Sequence, residues 1–148
     1  MSTAADVVMT AEGFLEHWQG HRRLTRRVIE AFPEDQLFTF SVGGMRPFGV
    51  LAQEMLSMAL PMVSGAVTGE WNYEQSSDSM SKAELLARWD ESTAGLEELW
   101  PRIAPERFQK TITAFGEYTD RLIGLLLYVV DNEVHHRGQG YVYLRALS

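Results

Sequence analysis

Residues 120–147 contain no proline, and this run constrains the fold more than any other part of the chain. Leu122, Leu125, Val129, Asn132, His136, Gly140, Tyr143 and Leu147 recur at steps of three and four. That spacing puts them on one face of a single long helix. The face is apolar except at Asn132 and His136, which lie one turn apart. An unpaired polar group in a core costs about 1–3 kcal/mol, so both side chains need partners from other elements. His135 is rotated by about 100° from His136 and stacks over Asp131 on the outward side. The prediction is His136 inward and His135 outward.

Three further helices precede it. Residues 10–31 read as the first, with Thr10 as N-cap and Phe14, Trp18, Thr25, Val28 and Phe32 on the core side. His21 falls at a core-facing step, and Pro33 ends the helix. The basic run at 21–27 reads as a solvated helix face. Residues 48–68 form the second helix, with Phe48, Leu51, Met55, Met58 and Met62 on its apolar arc and Glu54 inside that arc. Pro61 is expected to kink or shorten it. Residues 69–79 read as a polar loop carrying Trp71 and Tyr73. Ser81 and Glu84 form a capping box opening a third helix to about Trp100, with Leu85, Leu86, Trp89, Leu96 and Leu99 inward. Residues 107–113 alternate weakly and suit an extended segment, and 115–119 turn into the last helix. Four amphipathic helices with irregular connections predict an all-α four-helix bundle, one domain over 1–148.

Composition narrows the function. A net charge of −7 repels phosphate backbones, so no nucleic-acid partner is expected. No run approaches eighteen apolar residues and the N-terminus lacks a signal-peptide pattern, so neither a membrane span nor export is expected. With no cysteine there is no disulfide, thiolate ligand or cysteine nucleophile, which fits a cytoplasmic protein. Nothing matches a phosphate-binding glycine loop, a serine triad or a dinucleotide fingerprint.

The segment Asn132-Glu133-Val134-His135-His136-Arg137-Gly138-Gln139, followed by Tyr143-Leu144-Arg145, resembles the C-terminal motif of the DinB-like family. These are small helical proteins of the damage-inducible and thiol-transferase-like type, unrelated to the DNA polymerase of the same name. Their motif reads His-x-x-x-His-Arg-Gly-Gln. In this register His136 takes the second histidine position and Asn132 the first. The resemblance implies a divalent metal, zinc or nickel, held by two histidines of the last helix and one of the second. Aligning residues 48–54 with the family's second helix puts Glu54 at that third position. Two of the three ligand positions are therefore altered, and the implied metal set here is Glu54, Asn132 and His136. The resemblance further implies transfer of a low-molecular-weight thiol to an electrophile, or hydrolysis, of a small-molecule substrate. His136 and Glu54 would then be catalytic, and the protein a homodimer. Stress response is the associated biology. Arg46, in the loop before the second helix, is a candidate for binding an anionic ligand or cofactor.

A competing reading stands beside this one. Glu54 accepts a hydrogen bond from His136, Asn132 completes a metal-free polar cluster, and the protein is a non-catalytic small-molecule binder or stress-linked interaction module. His17 and His21, also four apart, read as a solvated or core-edge pair, with His21 facing inward and able to supplement the site, and Asp131 with His135 as a surface or dimer-contact pair. Glu133 and Arg137 are placed to pair along the helix. Gly138 and Gly140 permit close helix approach, and Gln139 can bond a neighbouring helix. Met55, Met58 and Met62 are core filler that can also line an apolar pocket. Trp71 or Trp100 is expected to supply exposed apolar area for a dimer.

Overall fold

A computed structural model describes residues 6–73 and 79–148. Its elements are α1 (Ala11–Ala31), α2 (Phe48–Thr68), α3 (Lys82–Leu99), β1 (Thr111–Ala114), β2 (Tyr118–Arg121) and α4 (Leu122–Leu147), with two short 3-10 turns between α3 and β1. Four helices dominate, as the sequence predicts. Both α3 and α4 pack against α1 and α2, so α3 and α4 stand at opposite corners of the bundle.

Helix starts follow local chemistry. The Thr10 hydroxyl accepts the Gly13 amide at 2.9 Å, and the Ser81 hydroxyl accepts the Glu84 amide at 3.0 Å. Each satisfies one of the amides that a helix N-terminus leaves free. Helix α2 ends at Gly69, whose φ of 81° is the left-handed conformation glycine adopts without strain. Pro61 does not shorten α2, which runs through it to Thr68. Packing on both sides holds the turn that lacks one backbone hydrogen bond. By length and composition α2 is apolar enough to cross a bilayer, which the absence of an uninterrupted apolar run had obscured. Its burial between α3 and α4 accounts for that composition equally well.

Two aromatic-rich cores fill the bundle. One gathers Trp18, Trp100, Leu122 and Leu126; the other gathers Phe32, Phe48, Trp89 and Tyr143. Phe32 and Phe48 stack at 5.1 Å between centroids. A Cβ on Gly140 would lie 2.6 Å from the Phe48 ring, so glycine is needed where α4 crosses the start of α2. Of the two tryptophans expected to supply exposed apolar area, Trp100 is buried and Trp71 is half-buried. Trp100 is 3% exposed, stacks on Phe14 and donates to the Ala11 carbonyl at 2.9 Å. Trp71 lies against Gly65 and Phe115. The centre of the expected 69–79 loop, residues 74–78, lies outside the described residues.

The last helix begins later than its sequence pattern suggests. Asp120 and Arg121 belong to β2, which pairs antiparallel with β1 from Thr111↔Arg121 to Ala114↔Tyr118. Phe115 (φ 56°) and Gly116 (φ 67°) both take positive φ, and the Glu117 amide returns to the Ala114 carbonyl at 3.1 Å. Positive φ at both central positions matches the twist of the flanking strands. Only Leu122 onward carries the buried helical stripe, so the hairpin claims the polar residues ahead of it.

The basic run of α1 is not simply a solvated face. Arg22 is 1% exposed, donates to the Trp89 carbonyl at 3.2 Å and to the Thr93 hydroxyl at 3.1 Å, and lies 4.4 Å over the Trp89 ring. Arg26 forms a two-pronged pair with Asp90 at 2.7 and 2.9 Å. Burial lowers Arg22 to about 10, against the pull of Glu133 and Asp90. On α4, Glu133 and Arg137 are also buried. They meet at the Thr25 hydroxyl, which donates to Glu133 at 2.7 Å and accepts from Arg137 at 3.4 Å.

Candidate functional site

The site lies where α4 crosses the first half of α2. His136 is buried and His135 exposed, as the stripe requires. His136 Nε2 lies 3.0 Å from Glu54 Oε2. The Asn132 amide donates to the same oxygen at 3.3 Å, and the Arg46 guanidinium donates to Glu54 Oε1 at 2.7 Å. Glu54, Asn132, His136 and Arg46 are thus brought together, with Glu54 at the centre. The loop carrying Arg46 is tied to α4 by Tyr143, whose hydroxyl donates to the Arg46 carbonyl at 2.8 Å. Gln139 supports the ring from behind: its Oε1 lies 2.7 Å from His136 Nδ1, and its amide reaches the Met45 sulfur at 3.2 Å.

The electrostatics of Glu54 are a contest. Burial pushes its carboxyl up, but the hydrogen bonds from Arg46 and Asn132 and the charges of Arg46 and His136 outweigh burial, so it lies below the ordinary value of 4.5. A carboxyl depressed in the folded state contributes stability that is present above 4.5 and lost as pH falls through its folded value. Arg46→Ala should remove most of this pH dependence. Urea denaturation of wild type and variant between about pH 5 and pH 3 checks it; parallel stability curves over that window would refute the assignment.

Whether these residues fit a metal can be judged from their hydrogens. The guanidinium of Arg46 occupies one oxygen of Glu54, and N–H donors occupy the other. Asn132 offers its NH2 to Glu54, while its Oδ1 is buried without a partner. A metal needs lone pairs converging on one point, whereas here donors converge on a carboxylate. Among the described residues no three His, Cys, Asp or Glu side chains are grouped to hold an ion. The set Glu54, Asn132 and His136 therefore does not fit a resident divalent metal in this arrangement. Arg46 supplies the positive charge that Glu54 needs.

The other histidine pair has its own logic. His21 and His17 face each other, Nε2 to Nε2, at 3.2 Å. Arg137 lies 3.1 Å from His21 Nδ1 and also donates to the His21 carbonyl at 3.0 Å. A guanidinium only donates, so Nδ1 accepts and Nε2 of the neutral ring carries the hydrogen. Burial, Arg137 and His17 lower His21 further below 6.5. That hydrogen leaves His21 Nε2 unsuited to a metal, and the pair lies with α1 and Arg137 rather than with Glu54. Arg137, which the sequence paired only with Glu133 along the helix, thus ties α1 to α4, and Glu133 joins it at Thr25. Their i, i+4 spacing beside the stripe was the one available signal.

A cleft of about 640 Å³ opens beside Glu54 and Asn132. Met58, Met62 and Leu125 form its floor, and Tyr73, Phe115 and Tyr128 its aromatic walls. Tyr73 stacks on Phe115 at 4.4 Å. The hairpin that the sequence only hinted at carries Phe115 and Tyr118 to this cleft. A larger hollow of about 800 Å³ between α1 and the 3-10 turns is lined by Leu15, Glu16 and Gln19 among others. None of Glu54, Asn132, His136 and Arg46 lines it, so the smaller cleft is the candidate site.

These features define a helical bundle with a carboxylate–imidazole pair at the mouth of an aromatic cleft. The sequence profile of the DinB family matches residues 1–147, and the chain belongs to that family. Solved structures agree on the fold. A DinB-like protein from Bacillus subtilis is 20% identical with a TM-score of 0.72, over 90% of both chains. A DinB-like protein from Bacillus cereus is 19% identical with a TM-score of 0.71, over 95% of both. A mycothiol-dependent maleylpyruvate isomerase is 15% identical with a TM-score of 0.67, over 95% of this chain and 64% of the other. No curated protein matches the sequence.

Proposed function

We propose that this chain is a small-molecule enzyme of the DinB family in which the Glu54–His136 pair, without a resident metal, handles a proton for thiol chemistry in the aromatic cleft. The observation that carries the reading is the 3.0 Å contact between these two groups at the edge of a cleft lined by Met58, Tyr73, Phe115 and Tyr128. Adding a thiol to a carbon–carbon double bond conjugated to a carbonyl breaks the S–H bond and the π bond, forms one C–S bond, moves the π electrons onto the carbonyl as an enolate and leaves the sulfur's proton to be accepted. A carboxylate–imidazole pair is an acceptor for that proton and can return it when the bond breaks. The chain has no cysteine, so the thiol is a low-molecular-weight co-substrate. A reducing, cytoplasmic setting suits that co-substrate. The isomerase of the same fold depends on mycothiol, which makes such thiols the first to test.

A second reading has its own support. Arg46 neutralises Glu54 at 2.7 Å, which favours a non-catalytic binder with a degenerate site. Thiol consumption against a panel of small electrophiles, in the presence of a chelator, separates the two. Turnover that survives chelation and is lost in Glu54→Gln and in His136→Ala is the expected result. Loss on chelation with recovery on adding zinc or nickel would overturn the metal-free mechanism. Ligand binding with no thiol consumed would leave the binder.

A further inference from the structure

We propose that the small molecule filling the aromatic cleft carries an organic cation, an alkylammonium group seated at the hairpin end beside Glu117, Tyr118 and Tyr128; this rests on the reading of that cleft as the place where the small molecule binds. The sign of the lining charge is the first observation. Among the described residues the cleft is lined by the carboxylates of Glu54, Glu117 and Asp120 and by no lysine, arginine or histidine. Glu54 is already matched, with Arg46 at 2.7 Å from one oxygen and His136 at 3.0 Å from the other. Neither Glu117 nor Asp120 makes an ion pair with a described residue, whereas Glu30, Glu54, Asp90 and Glu98 all do.

Asp120 has a partial structural use. One of its oxygens accepts the Arg121 amide at 2.7 Å, and its carboxylate folds back over Gly124, where a Cβ would collide with it. There it faces the positive end of α4. Glu117 has no such use and is the carboxylate left over. Its field reaches Tyr118, whose phenol is held above its ordinary value of 10.0 by Glu117 first and by Tyr73 next. The same field that disfavours a phenolate at this point favours a cation.

The rings are the second observation. Tyr73, Tyr118 and Tyr128 line the cleft and are 61%, 48% and 59% exposed, so a ligand can reach them. An aromatic face attracts a cation through its quadrupole. Rings beside a carboxylate suit an ammonium clothed in methyl or methylene groups better than a metal ion, which takes oxygen ligands and keeps its water. Gly124, Tyr128 and Asn132 follow one another at steps of four along α4. At 1.5 Å per residue the wall from the hairpin end to Asn132 is therefore about 12 Å long. The cation so placed does not compete with Arg46 for Glu54. An apolar spacer over Met58, Met62 and Leu125 then joins the ammonium to the group that meets Glu54 and His136.

Three probes that share one ring decide it: benzyltrimethylammonium, benzyl alcohol and phenylacetate, each titrated into the protein by calorimetry. The ammonium should bind about tenfold or more tightly than the other two. Glu117→Gln and Tyr128→Leu should each weaken the ammonium by about fivefold, and Glu117→Gln should leave benzyl alcohol unchanged. Glu117→Lys should reverse the order in favour of phenylacetate. Glu117 and Tyr128 are exposed, so the core is untouched, and circular dichroism checks that each variant folds. An ammonium that binds no better than benzyl alcohol, or whose binding ignores both Glu117 variants, would overturn the proposal. Glu54→Gln keeps this claim apart from the acid–base reading, because ammonium binding should persist there while thiol consumption is lost. Wild type that selects the ammonium but consumes no thiol would defeat the acid–base reading and support this one. Turnover that prefers anionic electrophiles to cationic ones would defeat this one alone.

Discussion

Glu133→Ala should destabilise the protein by about 2–5 kcal/mol at neutral pH, the usual cost of emptying a buried side-chain site. Arg22, Glu133 and Arg137 are 1%, 2% and 7% exposed, so solvent cannot replace the acceptor that Thr25 uses. Burial pushes the Glu133 carboxyl up, against the pull of Arg22, Thr25 and Arg137. A carboxyl raised in the folded state holds its proton longer there than in the unfolded chain. Stability therefore declines as pH rises from the ordinary 4.5 through its folded value. Glutamine keeps the shape, one acceptor for Thr25 and the neutral state that burial favours. In Glu133→Gln that decline should vanish while most of the neutral-pH stability is kept. Urea denaturation of both variants from acid to neutral pH measures this. A Glu133→Gln loss as large as that of Glu133→Ala would mean that the carboxylate charge itself holds the two arginines in place.

The second large effect is a gain. Glu54→His with Asn132→His should create a three-histidine site with His136 and confer transition-metal binding on a chain whose present geometry does not suit one. The positions are right because Glu54 already touches both His136 and Asn132. Replacing Glu54 also releases Arg46, which is half exposed and free to turn toward solvent. Zinc and nickel titration by calorimetry should show one strong site in the double variant, and His136→Ala in that background should remove it. A folded double variant that takes up no metal would show that the three side chains cannot converge. Failure there would leave the acid–base proposal for the native pair untouched.

Much of this was readable in advance, for physical reasons. The face of α4 was legible because apolar residues at helical spacing must all point one way, and His136 shares that spacing. The Glu54–His136 contact was legible because each is a polar group on an apolar stripe, and each needs a partner. Asp120 and Arg121 were misplaced because nothing in a polar pair signals that a hairpin, not a helix, will take it. Arg22 was misread because it lies in a run of cations. The ring and carbonyl of Trp89 and the hydroxyl of Thr93, all brought close by α3, help make its burial tolerable. Trp100 was misjudged similarly, since a tryptophan at a helix end gives no hint that Phe14 will cover it.

The Glu54–His136 contact joins positions 136 − 54 = 82 residues apart, and this has a consequence for how the protein folds. Helix–turn contacts form quickly because they are local, whereas a contact across such a span waits on closure of a long loop. The pair cannot exist in a chain that has made α1 to α3 but not yet docked α4. The ring-proton resonances of His136 should therefore reach their native positions only when α4 docks. In refolding experiments that histidine would act as a clock for the final assembly step.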